Sequence, residues 1–201
     1  MFKKLAADAL GLSDIGVVIG PADYDKVDAD DYLFHEDKEK IFFLIKSKKD
    51  EYCFTNLALV HVDGDSAVSS KRSIKRYPWS SAHVRDVAIE TAGTVDLDVE
   101  LKFTIAEVEF SIDVRKNFLE QLKDIYKALT SIGRQQERDA QARQHALHAS
   151  SVIGSMYKLN GAEPEAVSRQ FVGILDALNW AVLDRHTTRD FGTVFEKYIH
   201  A

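Results

Sequence analysis

The amino-acid sequence predicts an α+β protein: a seven-stranded antiparallel β-barrel capped by a C-terminal helix and followed by an α-helical hairpin. Three observations predict it. Apolar and polar residues alternate with period two through the middle third of the chain. The period turns helical after about residue 115. A second helical pattern, apolar on most sides, then follows a polar helical stretch. Successive side chains of a strand point to opposite faces. Alternation therefore gives each strand one dry and one wet face, as in an antiparallel sheet over a single core.

The strands follow in order. Ile41, Phe42, Phe43, Leu44 and Ile45 form an apolar run with strand chemistry, Lys46 to Asp50 read as a turn, and Glu51 to Thr55 as the returning strand. Leu57 to Val62 make the third, closed by the turn signal Asp63-Gly64-Asp65. Lys71 to Trp79 and Val84 to Thr91 give two more. In the last pair, Val99, Leu101, Phe103 and Ile105 alternate with Asp98, Glu100, Lys102 and Thr104. Val108, Phe110, Ile112 and Val114 alternate with Glu107, Glu109, Ser111 and Asp113. Seven short strands of this kind predict a small barrel or sandwich.

Helical spacing then takes over. Phe118, Leu122, Ile125, Leu129 and Ile132 form a narrow apolar stripe suited to closing one end of a barrel. Gly133 suits the C′ position of that helix. Residues 134–150 are polar, Ala-rich and helical in pattern, Asn160-Gly161 marks a turn, and Pro164 suits the first turn of the next helix. From Val167 to Leu183 that helix is apolar on most sides and requires burial on more than one face. At the other end, Phe2, Leu5, Ala6, Ala9 and Leu10 predict a short amphipathic helix, and residues 21–40 read as a polar connector. The domain organisation is therefore an N-terminal helix and connector (1–30), a barrel domain (31–133) and a helical extension (134–201).

Composition limits function. The chain has 201 residues and a formal net charge of −6, which argues against DNA or RNA as the main partner. Cys53 is the sole cysteine, so no intrachain disulfide or Cys-based metal cluster can form, which fits a reducing compartment. No apolar run approaches the roughly 20 residues needed to span a bilayer. Asp8 interrupts the N-terminal apolar run, so the expectation is a retained N-terminus and a cytoplasmic protein.

The stretch from Ile45 to Asn56 (IKSKKDEYCFTN) resembles the first hairpin of the bacterial pleckstrin-homology (PH) superfamily. The stretch from Thr91 to Lys102 (TAGTVDLDVELK) resembles its most recognisable segment. The tail from about residue 134 resembles the helical extension of the YvbH-like subgroup. The resemblance covers most of the chain. It implies a PH-like barrel of two orthogonal sheets capped by a helix, and a tendency to form homo-oligomeric rings or larger assemblies. It brings no catalytic residues.

Several residue sets are candidates for binding. Lys46, Lys48 and Lys49 fall in the first β-turn, where eukaryotic relatives of the fold hold phosphoinositide headgroups, and lysines there supply point charges for phosphate. Asp50 and Glu51 follow at once and partly neutralise them, so a solvated turn is the favoured reading. Lys71, Arg72, Lys75 and Arg76 put four cations into six residues, either as a charged strand edge that prevents unwanted pairing or as an anion or partner contact. If Ile74 points inward, Arg72 and Arg76 flank it. Asp96, Asp98 and Glu100 share one strand face. Flat spacing does not wrap a cation, so a solvated or interface face is expected. In a ring the basic stripe of one subunit could meet the acidic stripe of the next.

His145 and His148 lie three apart on a helix without a third ligand nearby, His61 and His83 read as structural, and Cys53 reads as a small buried residue. There is no nucleophile elbow, phosphate-binding Gly-rich loop or dinucleotide fingerprint. The expected function is a non-enzymatic interaction or scaffold protein without cofactor or metal. It homo-oligomerises through the barrel and the extension, and the extension also offers a surface to a protein partner. The alternative is a peripheral membrane protein that binds anionic lipid headgroups through the first β-turn.

Overall fold

Each of the seven predicted strands forms. The computed structural model describes residues 13–64, 72–91, 98–156 and 163–199. The helix expected over residues 2–10 and the Asn160-Gly161 turn lie outside them. A two-residue strand, β1 (Val17–Val18), precedes β2 (Ile41–Lys46), β3 (Glu51–Thr55), β4 (Ala58–Gly64) and β5 (Arg72–Pro78), which form one antiparallel sheet in that order. β6 (Val84–Thr91), β7 (Asp98–Ile105) and β8 (Val108–Arg115) form a second. Register follows the alternation: Leu44 lies opposite Cys53, Leu101 opposite Ile112, and Phe103 opposite Phe110.

Gly16 joins the two sheets. Its N–H donates to the Asp113 carbonyl (2.7 Å) and its carbonyl accepts from Arg115 N–H (3.0 Å), so the chain ahead of β1 bridges to β8 while β1 pairs with β2. A side chain there would collide with Ile45, since an added Cβ would stand 2.8 Å from its Cγ2.

The barrel interior follows from the period-two pattern. Phe43, Ile45, Phe54 and Leu59 of the first sheet meet Leu101, Phe103, Ile105 and Ile112 of the second. Leu122, Ile125, Leu129 and Ile132 close the end, as their spacing predicts. The helix that carries them, α1 (Leu119–Met156), does not stop at Gly133. Correcting that expectation, the glycine lies inside the helix, and the Ala-rich residues beyond it continue the same helix.

A second core lies on the outer face of the first sheet. Residues 21–40, expected to be a polar connector, fold into three short 3₁₀ turns (Pro21–Lys26, Ala29–Tyr32 and His35–Asp37). They lower Val27, Ala29 and Leu33 onto Leu44, Cys53, Val60 and Val62. Three apolar residues at irregular spacing carry this contact, so no period announces it.

The described chain divides into two compact units, one built from residues up to Gly133 and from Arg189 onward, the other from Arg134 to Thr188. In the first unit the terminal helix α3 (Gly192–Tyr198) inserts Phe191 and Phe195 into the barrel core. Phe195 stacks on Phe42, ring centroids 5.3 Å apart, and tilts against Trp79. In the second, α2 (Pro164–Asn179) begins with Pro164 as its sequence predicts and ends in a π-helical turn, Trp180–Asp184.

Candidate functional site

Two buried carboxylates pin the 3₁₀ strap to the first sheet. Glu51 opens β3 and accepts hydrogen bonds from Lys46 Nζ, Ala29 N–H (2.7 Å) and Asp28 N–H (3.2 Å). Removing such a pair from water is costly, and the additional backbone donors compensate the carboxylate. Glu39 accepts from Thr55 Oγ1 (2.5 Å), Phe34 N–H (2.8 Å) and Arg76 Nη2 (2.9 Å). The Arg76 guanidinium also lies 4.6 Å over the Phe34 ring. Between these clamps, burial pushes the Cys53 thiol well above its usual range, with Glu51 and Glu39 adding to the effect. The thiol is therefore an inert packing group, as its aromatic neighbours in sequence suggest.

This network accounts for several of the predicted cations. Lys46 is the last residue of β2, not a turn residue, and its ammonium is buried against Glu51. Lys48 is exposed, and Lys49 Nζ lies 3.9 Å from Asp14. Arg72 reaches Asp28 (3.2 Å) and the Lys49 carbonyl (3.3 Å), Arg76 reaches Glu39, and Lys75 reaches Asp63 (3.2 Å). Lys71 lies outside the described residues. Ile74 does not point inward: it is 37% exposed and joins neither core. Tyr77, on the other strand face, packs edge-on to Phe110.

Beside the same Phe110 ring His61 lies flat against Tyr52, ring centroids 4.5 Å apart, with Phe110 edge-on at 5.7 Å. His61 Nε2 is 3.2 Å from Asp50 Oδ1. Burial, followed by Asp50, raises the Tyr52 phenol.

The outer face of the second sheet carries the other predicted stripe. Asp96 lies outside the described residues. Asp98 is half-buried opposite Arg115. Glu100 accepts from Ser111 Oγ and pairs with Lys102 (3.1 Å), which also holds Glu90 (2.8 Å). The Ser111 hydrogen bond, then Lys102, lowers the Glu100 carboxyl. Asp113, directly across from Glu100, is raised by burial and then by the Glu100 and Asp98 charges. Lys102, the next residue on the same strand face, therefore neutralises the end of the acidic stripe at Glu100.

In the second unit, Asp139 of α1 accepts from Thr188 N–H (3.0 Å) and Gln135 Nε2 (2.7 Å). Burial pushes its carboxyl up, but these hydrogen bonds outweigh that and hold it below the usual range. Arg143 Nη1 donates to the His186 carbonyl (2.6 Å). His145 and His148 are exposed. Phe171, Ile174, Leu175 and Leu178 follow helical spacing on α2, yet no residue of α2 is buried, and Phe171 and Trp180 are 57% and 55% exposed. The burial that the sequence of this helix requires is not supplied by the described residues of its own unit.

Among the described residues no group of three or more His, Cys, Asp or Glu side chains is placed to hold a metal ion. No helix among them is long and apolar enough to cross a membrane.

Two antiparallel sheets stoppered at one end by an amphipathic helix define a PH-fold barrel. The chain belongs to the bacterial PH domain family, whose model matches residues 9–132. It is 53% identical over 206 residues, and over all of both chains, to the Bacillus subtilis protein named "Uncharacterized protein YvbH". It is 33% identical over 96 residues to "Uncharacterized protein YjqA" of the same organism, covering 47% of this chain and 74% of that one. Among solved structures it resembles a PH-domain-containing bacterial protein from Exiguobacterium sibiricum, with 45% identity and a TM-score of 0.78, covering 92% of this chain and all of that one.

Proposed function

We propose that this protein is a non-enzymatic assembly module, in which a second copy of the chain covers the apolar stripe of α2. The exposure of Phe171 and Leu175 on α2, beside that of Trp180 in the turn that follows it, carries the reading. Apolar patches of this kind mark interaction surfaces. A self-association surface meets its own partner at the concentration of the chain itself. The cations of β5 favour α2 over the basic stripe as the contact, because Arg72, Lys75 and Arg76 already hold carboxylates of their own chain. β5 and β6 end their sheets and offer further pairing edges to a neighbouring copy.

Light scattering on the full chain tests this. The wild type runs as an oligomer, and the double variant Phe171→Ser, Leu175→Ser falls to monomer mass with its circular dichroism unchanged. An unaltered mass in the folded variant overturns the reading. Binding of anionic lipid through the β2–β3 turn is the competing function. Of its three lysines only Lys48 and Lys49 reach solvent. Salt-sensitive co-sedimentation with anionic vesicles that is lost in Lys48→Ala, Lys49→Ala would favour it.

A further inference from the structure

A cavity of about 360 Å³ opens beside the barrel cap, within the first unit. Val18, Ile19, Tyr24, Phe42, Phe118 and Ile199 form its walls. These residues come from five separated stretches of sequence. Ligand pockets are concave and mostly apolar, with a few fixed polar groups, and run from about 300 to 1,000 Å³.

The walls are tied to the surrounding fold by hydrogen bonds and ring contacts. Ile19 N–H donates to the Leu44 carbonyl (2.9 Å), and Tyr24 Oη donates to the Phe42 carbonyl (3.2 Å). Phe42 is braced from behind by Phe195, and Ile199 N–H donates to the Phe195 carbonyl (2.7 Å). Phe118 packs against both the barrel core and the outer core. Burial raises the Tyr24 phenol to about 12, so the ring presents a neutral wall at any ordinary pH. Gly20, also on the rim, leaves the mouth unobstructed: a Cβ there would meet nothing within 4 Å.

The polar groups lie on one side, on the first turns of α1. They are the Gln121 amide and the Asp124 carboxylate, and Asp124 is the one charged side chain among the described residues of the lining. Lys127 holds Asp124 at 2.9 Å, but it is half in solvent and such pairs are weak, so an incoming cation can displace it.

We infer that this cavity is a binding site for a small organic amine, with an aromatic or branched-alkyl body among Tyr24, Phe42 and Phe118 and its ammonium on Asp124. The site uses no residue of α2 and is independent of self-association.

The test is calorimetric titration of the full chain with 2-phenylethylamine and with phenylacetate, which has a similar body and the opposite charge, accompanied by NMR of the aromatic and isoleucine signals. The amine is expected to bind saturably, to shift the Tyr24, Phe118 and Ile199 signals, and to bind at least about fivefold more tightly than the acid. Asp124→Asn, a near-isosteric change at a half-buried position whose folding is checked by circular dichroism, should erase that preference. Absence of saturable amine binding at millimolar concentration, equal binding of amine and acid, or retention of the preference in Asp124→Asn would overturn the inference.

Discussion

Gly133 passes so close to Val84 that a Cβ on the glycine would stand 2.7 Å from the Val84 carbonyl oxygen. This approach lets α1 lie directly on the first residue of β6 while its apolar stripe fills the barrel end. In an exposed helix, replacing glycine by alanine stabilises by about 1 kcal/mol. Here the sign reverses. Gly133→Ala must push the helix off β6, and overpacking of this kind costs about 1–3 kcal/mol. A lowered urea midpoint with an unchanged slope is the expected result.

The Lys46–Glu51 pair gives a second prediction. Glu51→Gln leaves a buried ammonium without its counter-charge and weakens the anchor for Asp28 and Ala29. Breaking a buried pair from one side costs about 3–5 kcal/mol. Replacing both partners, Lys46→Met with Glu51→Gln, should recover part of the loss, because no lone charge remains buried. Urea denaturation of the two variants decides it, and equal stability of single and double variant would contradict it.

Asp139 and Asp113 should respond to pH with opposite signs. The folded-state pKa of Asp139 is lowered, so its stabilising contribution is complete above the ordinary value near 4 and is lost as pH falls through the folded value. Asp139→Asn should therefore melt below wild type at neutral pH, with the gap closing in acid. The folded-state pKa of Asp113 is raised, so folding favours its protonated form and the charged form is a liability once pH passes the folded value. Asp113→Asn should melt slightly above wild type at neutral pH and converge with it below about pH 4. Thermal melts by circular dichroism across pH 3–8 read both.

Phe195 tests the role of the returning C-terminus. Its ring is fully buried between Phe42 and Trp79. Phe195→Ala removes an aromatic core side chain, which costs about 3–5 kcal/mol. A chain ended at Gly133 loses Phe191 as well, and should expose Trp79 to solvent, read as a red shift of its fluorescence against the full chain carrying Trp180→Phe, in which Trp79 is likewise the sole tryptophan.

The strands were legible because every second residue of β7 and β8 carries the pattern, and a one-residue slip would turn Leu101, Phe103 and Ile112 out of the core. The α1 stripe was legible for the same reason at helical period. The strap was not, since Val27, Ala29 and Leu33 are three isolated contacts among aspartates and tyrosines. Gly133 looked like a helix stop because sequence cannot tell a left-handed terminus from a close crossing. The return of Phe191 and Phe195 was hidden because a seven-residue helix is too short for a period to show. The candidate site was less legible still. Lys46 and Lys48 are alike in sequence, and only the placement of Glu51 shows that one is an internal counter-ion and the other faces water.

The chain leaves the barrel unit after Gly133 and rejoins it at Arg189, where Asn56 receives it: Asn56 Nδ2 donates to Asp190 (2.8 Å) and the Asn56 carbonyl accepts from Phe191 N–H (2.9 Å). Residues 134–188 are therefore an excursion moored at both ends. A force or a binding event on α2 is delivered to two attachment points, and one of them closes the hydrophobic interior. Whatever loads the helical part can thus reach the packing around Phe195 along the covalent chain.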